Sequence, residues 1–275
     1  MFYVIQENLF KEHHYQTLLN TMNRFKFEYD IVKYIPFAGD IYEWYDSEEA
    51  DKIPNFEPKI YQTDKTNIFC FGAVAMAEAA ARRGWKPGSM LNENHDYNIY
   101  APQYGFENML NGDGQVINFT DPIPFNDEYF FVRPTKDSKV FSGQVFSKAA
   151  WANYIKLCNE RDTVNIITEE TQILVSQCKN IQQEVRCWVV GGKVVTASRY
   201  KIGNQVIYSN YDNESFFVDF AQSMVNKYQP AEAFVLDICL ANDELKIVEV
   251  NNINSAGFYE CNMIKLIEAL ENHFN

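Results

Sequence analysis

The sequence predicts an α+β protein in three parts, a small N-terminal α/β domain followed by two α+β subdomains that clamp a cleft. Three observations carry this. Residues 1–125 alternate strand-like and helix-like segments, whereas from Asn126 onward strands come in pairs joined by short turns. With 275 residues, of which 47% are hydrophobic and 15% aromatic, the chain can build two or three cores. We therefore expect residues 1–125 as the first domain and 126–275 as the second, the latter divided into 126–175 and 176–275.

Taken in order, Phe2 to Ile5 is a short strand, and His13 to Phe25 is a helix placing Leu18, Leu19, Met22 and Phe25 on one face. Glu28 to Ile35 is strand-like and stops at Pro36. Asp40 to Lys65, acidic and proline-bearing, reads as loop. The Ala-rich stretch Phe69 to Arg83 reads as helix, with Gly84 and then Pro87-Gly88 as stop signals. Strands from Tyr129 and from Lys139 precede a helix that Ser147 is placed to cap. Strands at Gln172 to Ser176, Glu184 to Val190 and Lys193 to Lys201 follow, then a helix from Glu214 to Tyr228. The strands Ala233 to Ala241 and Leu245 to Asn251 come next, and a helix from Glu260 to His273 is last.

Bulk properties exclude several classes. No apolar run reaches the ~18–20 residues needed to span a bilayer, and MFYVIQENLF lacks the basic start and long apolar stretch of a signal peptide. Six cysteines without a C-x-x-C pair, most of them inside apolar runs, fit free thiols and a reduced, cytoplasmic setting. Four histidines, none with cysteine or histidine partners at zinc-ligand spacing, argue against a zinc site. A net charge of −13 repels a nucleic-acid backbone over most of the surface, so a general nucleic-acid binder is excluded and only a local basic pocket is left open.

The chemistry concentrates in AFVLDICLA-NDE-LKIVEVNN. With Asn242 to Glu244 as the turn, Asp237 faces Glu249 and Val235 faces Asn251. Phe234, Leu236, Ile238, Leu240, Val248 and Val250 then form an apolar face, and Asp237, Glu249 and Asn251 share the other. Two bare carboxylates ~4 Å apart repel by about 4 kcal/mol at an effective dielectric of ~20. A divalent cation relieves that, and Asp, Glu and Asn oxygens suit Mg²⁺ or Mn²⁺. The alternative reading is a strand-end Asp237 with a solvent-paired Glu249.

Two cationic segments lie upstream. Gly191-Gly192 reads as a two-residue hairpin turn, and that register sets Glu184 opposite Arg199 with Arg186, Trp188 and Lys201 on the same face. In YFFVRPTKDSKVFSG, Arg133, Lys136 and Lys139 crowd one connection around Asp137. Each alone fits a solvated charged surface. Beside a metal site they suit phosphate oxygens.

Together these segments resemble the ATP-grasp superfamily, most closely its clade named for an arginine and two lysines and found often in phages and bacteria. The signatures are FFVRPTKDSKVFSG, QEVRCWVVGGKVV and VLDICLANDELKIVEVNNINSAGFY, with FCFGAVAMAEAAARRGWKPG and ENMLNGDG upstream; the likeness runs from Phe69 to the C-terminus. The resemblance implies an ATP-grasp fold behind a small pre-ATP-grasp domain. It implies Asp237, Glu249 and Asn251 as ligands of the Mg²⁺ ions bridging the ATP phosphates, and Arg133 and Lys139 as phosphate contacts. Val175, Ser176 and Gln177 fall at the linker whose backbone binds adenine, and Glu184 where ribose or metal-proximal contacts lie. The loop after Arg133 departs from the family in not being glycine-rich, so Lys136 and Lys139 side chains are expected to serve there.

The implied activity is carbon–nitrogen ligation: a carboxylate attacks the γ-phosphoryl group of ATP and an amine displaces phosphate from the acylphosphate. Such chemistry needs positioning and charge neutralisation rather than a protein nucleophile. Arg133, Lys139, Arg186 and Arg199 are the expected catalytic cations. Lys201 is expected on the nucleotide or substrate, and Arg199, Lys201, Asn254 and Ser255 around a small-molecule or peptide acceptor. A phosphotransferase and a non-catalytic nucleotide-binding module are the alternatives.

Overall fold

In a computed structural model of the chain, residues 1–8, 11–137, 140–160 and 167–275 are described. The N-terminal region runs β1 (Phe2–Gln6), α1 (Tyr15–Phe25), β2 (Tyr29–Ile35), β3 (Asp40–Glu43), α2 (Ser47–Ala50), β4 (Asn67–Phe71), α3 (Val74–Arg82), β5 (Lys86–Gly88) and α4 (Tyr97–Tyr104). Its five strands lie in the order β3-β2-β1-β4-β5, parallel except for β3. All five residues of β1 are buried, as a central parallel strand requires when both faces are covered. The order reverses direction between β1 and β4, which opens a crevice at their carboxyl ends.

Next come β6 (Gln115–Asn118), β7 (Tyr129–Pro134), β8 (Gln144–Ser147), α5 (Lys148–Glu160) and β9 (Gln172–Gln177). They form an antiparallel sheet ordered β6-β9-β7-β8, whose core of Phe119, Phe130, Phe146, Ile173 and Val175 packs on Trp151 of α5. The Ser147 hydroxyl accepts from Ala150 N at 3.1 Å and starts α5 as expected. The third sheet contains β10 (Ile181–Val190), β11 (Lys193–Ile202), β12 (Gln205–Asn210), β13 (Ala233–Ala241) and β14 (Glu244–Asn252), with α6 (Ser215–Lys227) and α7 (Met263–Phe274) packed on it. Its order is β12-β11-β10-β13-β14, antiparallel throughout.

One face of the third sheet buries Val185, Cys187, Leu236 and Val250 against α4 and α6. The other buries Trp188, Val190 and Val235 with α7, α1 and the N-terminal strands in one continuous core. The α+β class and the paired-strand second half are thus as the sequence predicts. Several elements differ. Phe69 to Phe71 belong to β4 rather than to the following helix, because NIFCF buries as an inner strand and Gly72-Ala73 separates it from α3. Asp40 to Lys65 contains β3 and α2, and Phe25, placed on the buried helix face, is 39% exposed. The strand expected from Lys139 begins at Gln144; Lys139 lies outside the described residues. Strand β6, ahead of Asn126, pairs with β9.

Candidate active site

The β13–β14 hairpin turns on Asn242 and Asp243, both at positive φ (51° and 64°), which is a two-residue primed turn rather than the three-residue connection expected. A bulge between Asp237 and Ile238 restores the register, so Asp237 faces Glu249 and Val235 faces Asn251 as anticipated. The same bulge moves Ile247 onto the apolar face and turns Val248, expected in the core, toward the cleft.

Asp237, Glu249 and Asn251 come together. The Asn251 amide donates to Asp237 Oδ2 at 3.1 Å and to Glu249 Oε1 at 3.0 Å. The expected repulsion is absent, because each carboxylate has its own guanidinium. Arg186, from β10, holds Asp237 bidentately at 2.8 and 2.7 Å, and Arg133, from β7, approaches Glu249 Oε2 at 3.0 Å. Both arginines are buried. Burial opposes their charge, but Asp237 beside Arg186, and Glu249, Asp137 and Asp237 around Arg133, outweigh it and hold both guanidiniums above the ordinary arginine range. Arg186 also donates to Gly257 O at 3.2 Å and lies 4.7 Å from the centroid of the Tyr259 ring. Asp137 anchors the connection after β7 by accepting from Asn252 N at 2.8 Å.

Of these groups Arg133, Asp137 and Glu249 border a cleft of about 740 Å³ between the second and third sheets, with Arg133, Lys136 and Asp137 on one wall and Glu184, Lys201 and Glu249 on the other. Glu184 accepts from Tyr200 OH and pairs with Lys201, each at 2.8 Å. Arg199 is not in this row. Bulges between Trp188 and Val189 and between Glu184 and Val185 pair it with Val185, and its guanidinium lies 5.1 Å from the Tyr211 ring on the α6 face. Tyr200 is the side chain the bulge brings in, and periodicity alone could not place it. Val175, Ser176 and Gln177 sit inside β9, with Ser176 donating to Asn111 Oδ1 at 2.9 Å; the cleft is bordered instead by Lys179 to Ile181 just beyond.

A smaller cavity of about 110 Å³ opens at the β1/β4 crevice, between Gln6 to Asn8, Gly72-Ala73 and the segment Asn254 to Phe258. Ser255 faces it with a buried hydroxyl that has no partner among the described residues. Asn254 does not have that freedom: its Oδ1 accepts from Met90 N at 2.7 Å and its Nδ2 donates to Cys70 O and Gly88 O at 2.7 and 2.9 Å.

A family model matches residues 58–270: the ATP-grasp domain, family 3 of the clade named for an arginine and two lysines. The chain belongs to that clade of the ATP-grasp superfamily. Solved structures with the ATP-grasp fold align over nearly the whole of it. D-cycloserine synthetase DcsG superposes with a TM-score of 0.60 at 10% identity, covering 100% of both chains. D-alanine–D-alanine ligase from Bacillus anthracis complexed with ATP gives 0.59 at 12% identity, covering 99% of this chain and 96% of that one. The Coxiella burnetii D-alanine–D-alanine ligase gives 0.61 at 11%, covering 100% and 95%. No curated protein matches by sequence. Among the described residues of this ATP-grasp chain, no helix is long and apolar enough to cross a membrane.

Proposed function

We propose that this ATP-grasp chain is an ATP-dependent carboxylate–amine ligase working through an acylphosphate, with ATP in the larger cleft and the acceptor entering from the smaller cavity. The observation that carries the reading is the convergence of Asp237, Glu249 and Asn251 with Arg133 and Arg186 where the two cavities approach one another. The donor set is all oxygen and comes from adjacent strands, as suits an oxygen-preferring divalent cation, which would compete with the two guanidiniums for its carboxylates. Mg²⁺ or Mn²⁺, when bound there, supplies charge neutralisation to the transferring phosphoryl group.

The protein residues do the rest by position and charge. Arg133 and Lys136 hold phosphate oxygens from the second sheet, joined by Lys139, which lies outside the described residues, and Glu184 with Lys201 holds the nucleoside end. Arg186 bridges from Asp237 to the Gly257 carbonyl at the wall of the smaller cavity, and so orients the developing acylphosphate toward Ser255. The first domain, up to the β6 strand, supplies one wall of the acceptor site. A screen for ADP release against amino acids and short peptides tests the reading: release that requires both a carboxylate and an amine supports ligation. Release with a carboxylate or hydroxyl alone, unaltered by added amine, makes the chain a phosphotransferase instead.

A further inference from the structure

Away from the cleft, three donor atoms converge at the start of α1. His13 Nε2 lies 3.2 Å and His14 Nε2 2.9 Å from the same oxygen, Glu260 Oε1, and the three atoms all fall within 4.8 Å of one another. A tetrahedral ion with bonds of about 2.0–2.1 Å separates its ligands by roughly 3.3 Å, so the His13–Glu260 edge already has that length and the His14–Glu260 edge needs only a few tenths of an ångström. We propose that His13, His14 and Glu260 form a binding site for a borderline divalent transition metal such as Zn²⁺, distinct from the oxygen site at Asp237 and Glu249.

Both sides of the site are fixed before any ion arrives. Glu260 N donates to Ser198 Oγ at 3.1 Å and Glu260 O accepts from Asn210 Nδ2 at 3.4 Å, which ties the carboxylate's backbone to β11 and β12. On the other side Glu12 N donates to Asn8 Oδ1 at 2.7 Å, and Glu12 Oε1 accepts from Phe258 N at 3.1 Å. Two imidazoles and one carboxylate select Zn²⁺, Co²⁺ or Ni²⁺ over Mg²⁺, because nitrogen donors suit the borderline ions. The His13 side chain is 61% exposed, which gives an ion access and leaves room for water as a fourth ligand.

The ring of His14 limits the affinity. Coordination through Nε2 puts its proton on Nδ1, which is buried without a partner among the described residues. Metal-bound imidazoles ordinarily donate that proton to a second group, and losing such a partner weakens a site by ~10–100-fold. The site is therefore one that exchanges its ion rather than one loaded permanently. Its effect would be mechanical: the ion fastens the entry to α1 onto the segment carrying Tyr259, the ring that flanks Arg186.

The test uses the full, untagged chain, stripped with chelator and titrated with Co²⁺ without nucleotide. The expected result is one equivalent bound, seen as visible ligand-field bands that Zn²⁺ displaces, with a Zn²⁺-dependent rise in melting temperature. H13A and E260Q should each weaken uptake by at least ~10-fold, while E249Q keeps it. His13 is exposed, so H13A leaves the fold intact, and circular dichroism verifies this. Uptake unchanged in both H13A and E260Q, uptake lost in E249Q, or no ligand-field band from folded wild type would each overturn the proposal.

Discussion

Glu249→Gln separates two views of the carboxylate pair. If Asp237 and Glu249 merely repelled one another, removing one charge would raise metal-free stability. The geometry predicts the opposite sign. Glu249 lies 3.0 Å from Nη1 of Arg133, whose side chain is only 7% exposed, and it also accepts from Asn251 at 3.0 Å. A hydrogen bond to a charged group contributes about 1.5–3 kcal/mol, and losing the carboxylate leaves a buried guanidinium short of counter-charge. A loss of about 2 kcal/mol, at ~2–4 °C per kcal/mol for a chain of this size, lowers the melting temperature by roughly 4–8 °C. The assay is thermal unfolding in chelator, repeated with Mg²⁺ and ATP. In the second condition the variant should also lose most of the ligand-induced stabilisation, because the proposed metal ligand has gone. An unchanged or higher melting temperature in chelator would refute the pairing argument. Full retention of the nucleotide shift would refute the metal assignment.

Wild type with Mg²⁺ and ATP at ~100 times the dissociation constant should gain about 2.7 kcal/mol, and a chelator that removes Mg²⁺ should abolish most of it in the same melting assay. Arg199→Ala should cost about 0.5–2 kcal/mol, the range for a half-buried cation–π contact, and leave ATP turnover near wild type, since Arg199 lies against Tyr211 rather than in the cleft. Arg186→Ala should cost ~3–5 kcal/mol by stranding buried Asp237, which denaturant titration would measure. Asp212 gives the pH prediction. Burial pushes its carboxyl up, but Lys265, Ala197 N and Thr196 outweigh that and hold it below the usual carboxylate range. Its contribution is therefore complete above the unfolded value of ~3.9 and vanishes as pH falls through the lower folded one. Asp212→Asn should cost about 1.5–3 kcal/mol near neutrality, with the gap to wild type closing in acid; a gap that persists there would contradict the assignment.

Much of the second half is legible in the sequence because hairpins encode their own register. Alternation places Asp237, Glu249 and Asn251 on one face, and the two-residue turn and the bulge compensate each other, so the site survives a wrong turn length. Where bulges do not compensate, the reading fails: Arg199 leaves the row and Tyr200 enters it. Sequence alternation has no mark for a bulge, because an extra residue changes the face without changing the composition. The arginine partners of the two carboxylates come from far along the chain, Arg186 lying 51 positions from Asp237 and Arg133 further still from Glu249, and Glu260 meets His13 across 247 positions. Such meetings depend on how sheets are stacked, which no local pattern carries.

Asn254 has a consequence for how this protein can change. Its one side chain bonds the backbone of Cys70, Gly88 and Met90, just past the strand that carries Glu249 and Asn251. The adjoining core mixes Tyr3, Phe69 and Phe71 with Trp188 and Val235. The N-terminal sheet is thus no detachable cartridge. Grafting it from a relative to alter acceptor choice would bring in a mismatched set of carbonyls and rings, and a fragment beginning at Asn126 would carry a bare apolar wall. If the acceptor enters at the β1/β4 crevice, as proposed, new specificity is more readily reached by substitutions around Ser255 than by exchanging whole domains.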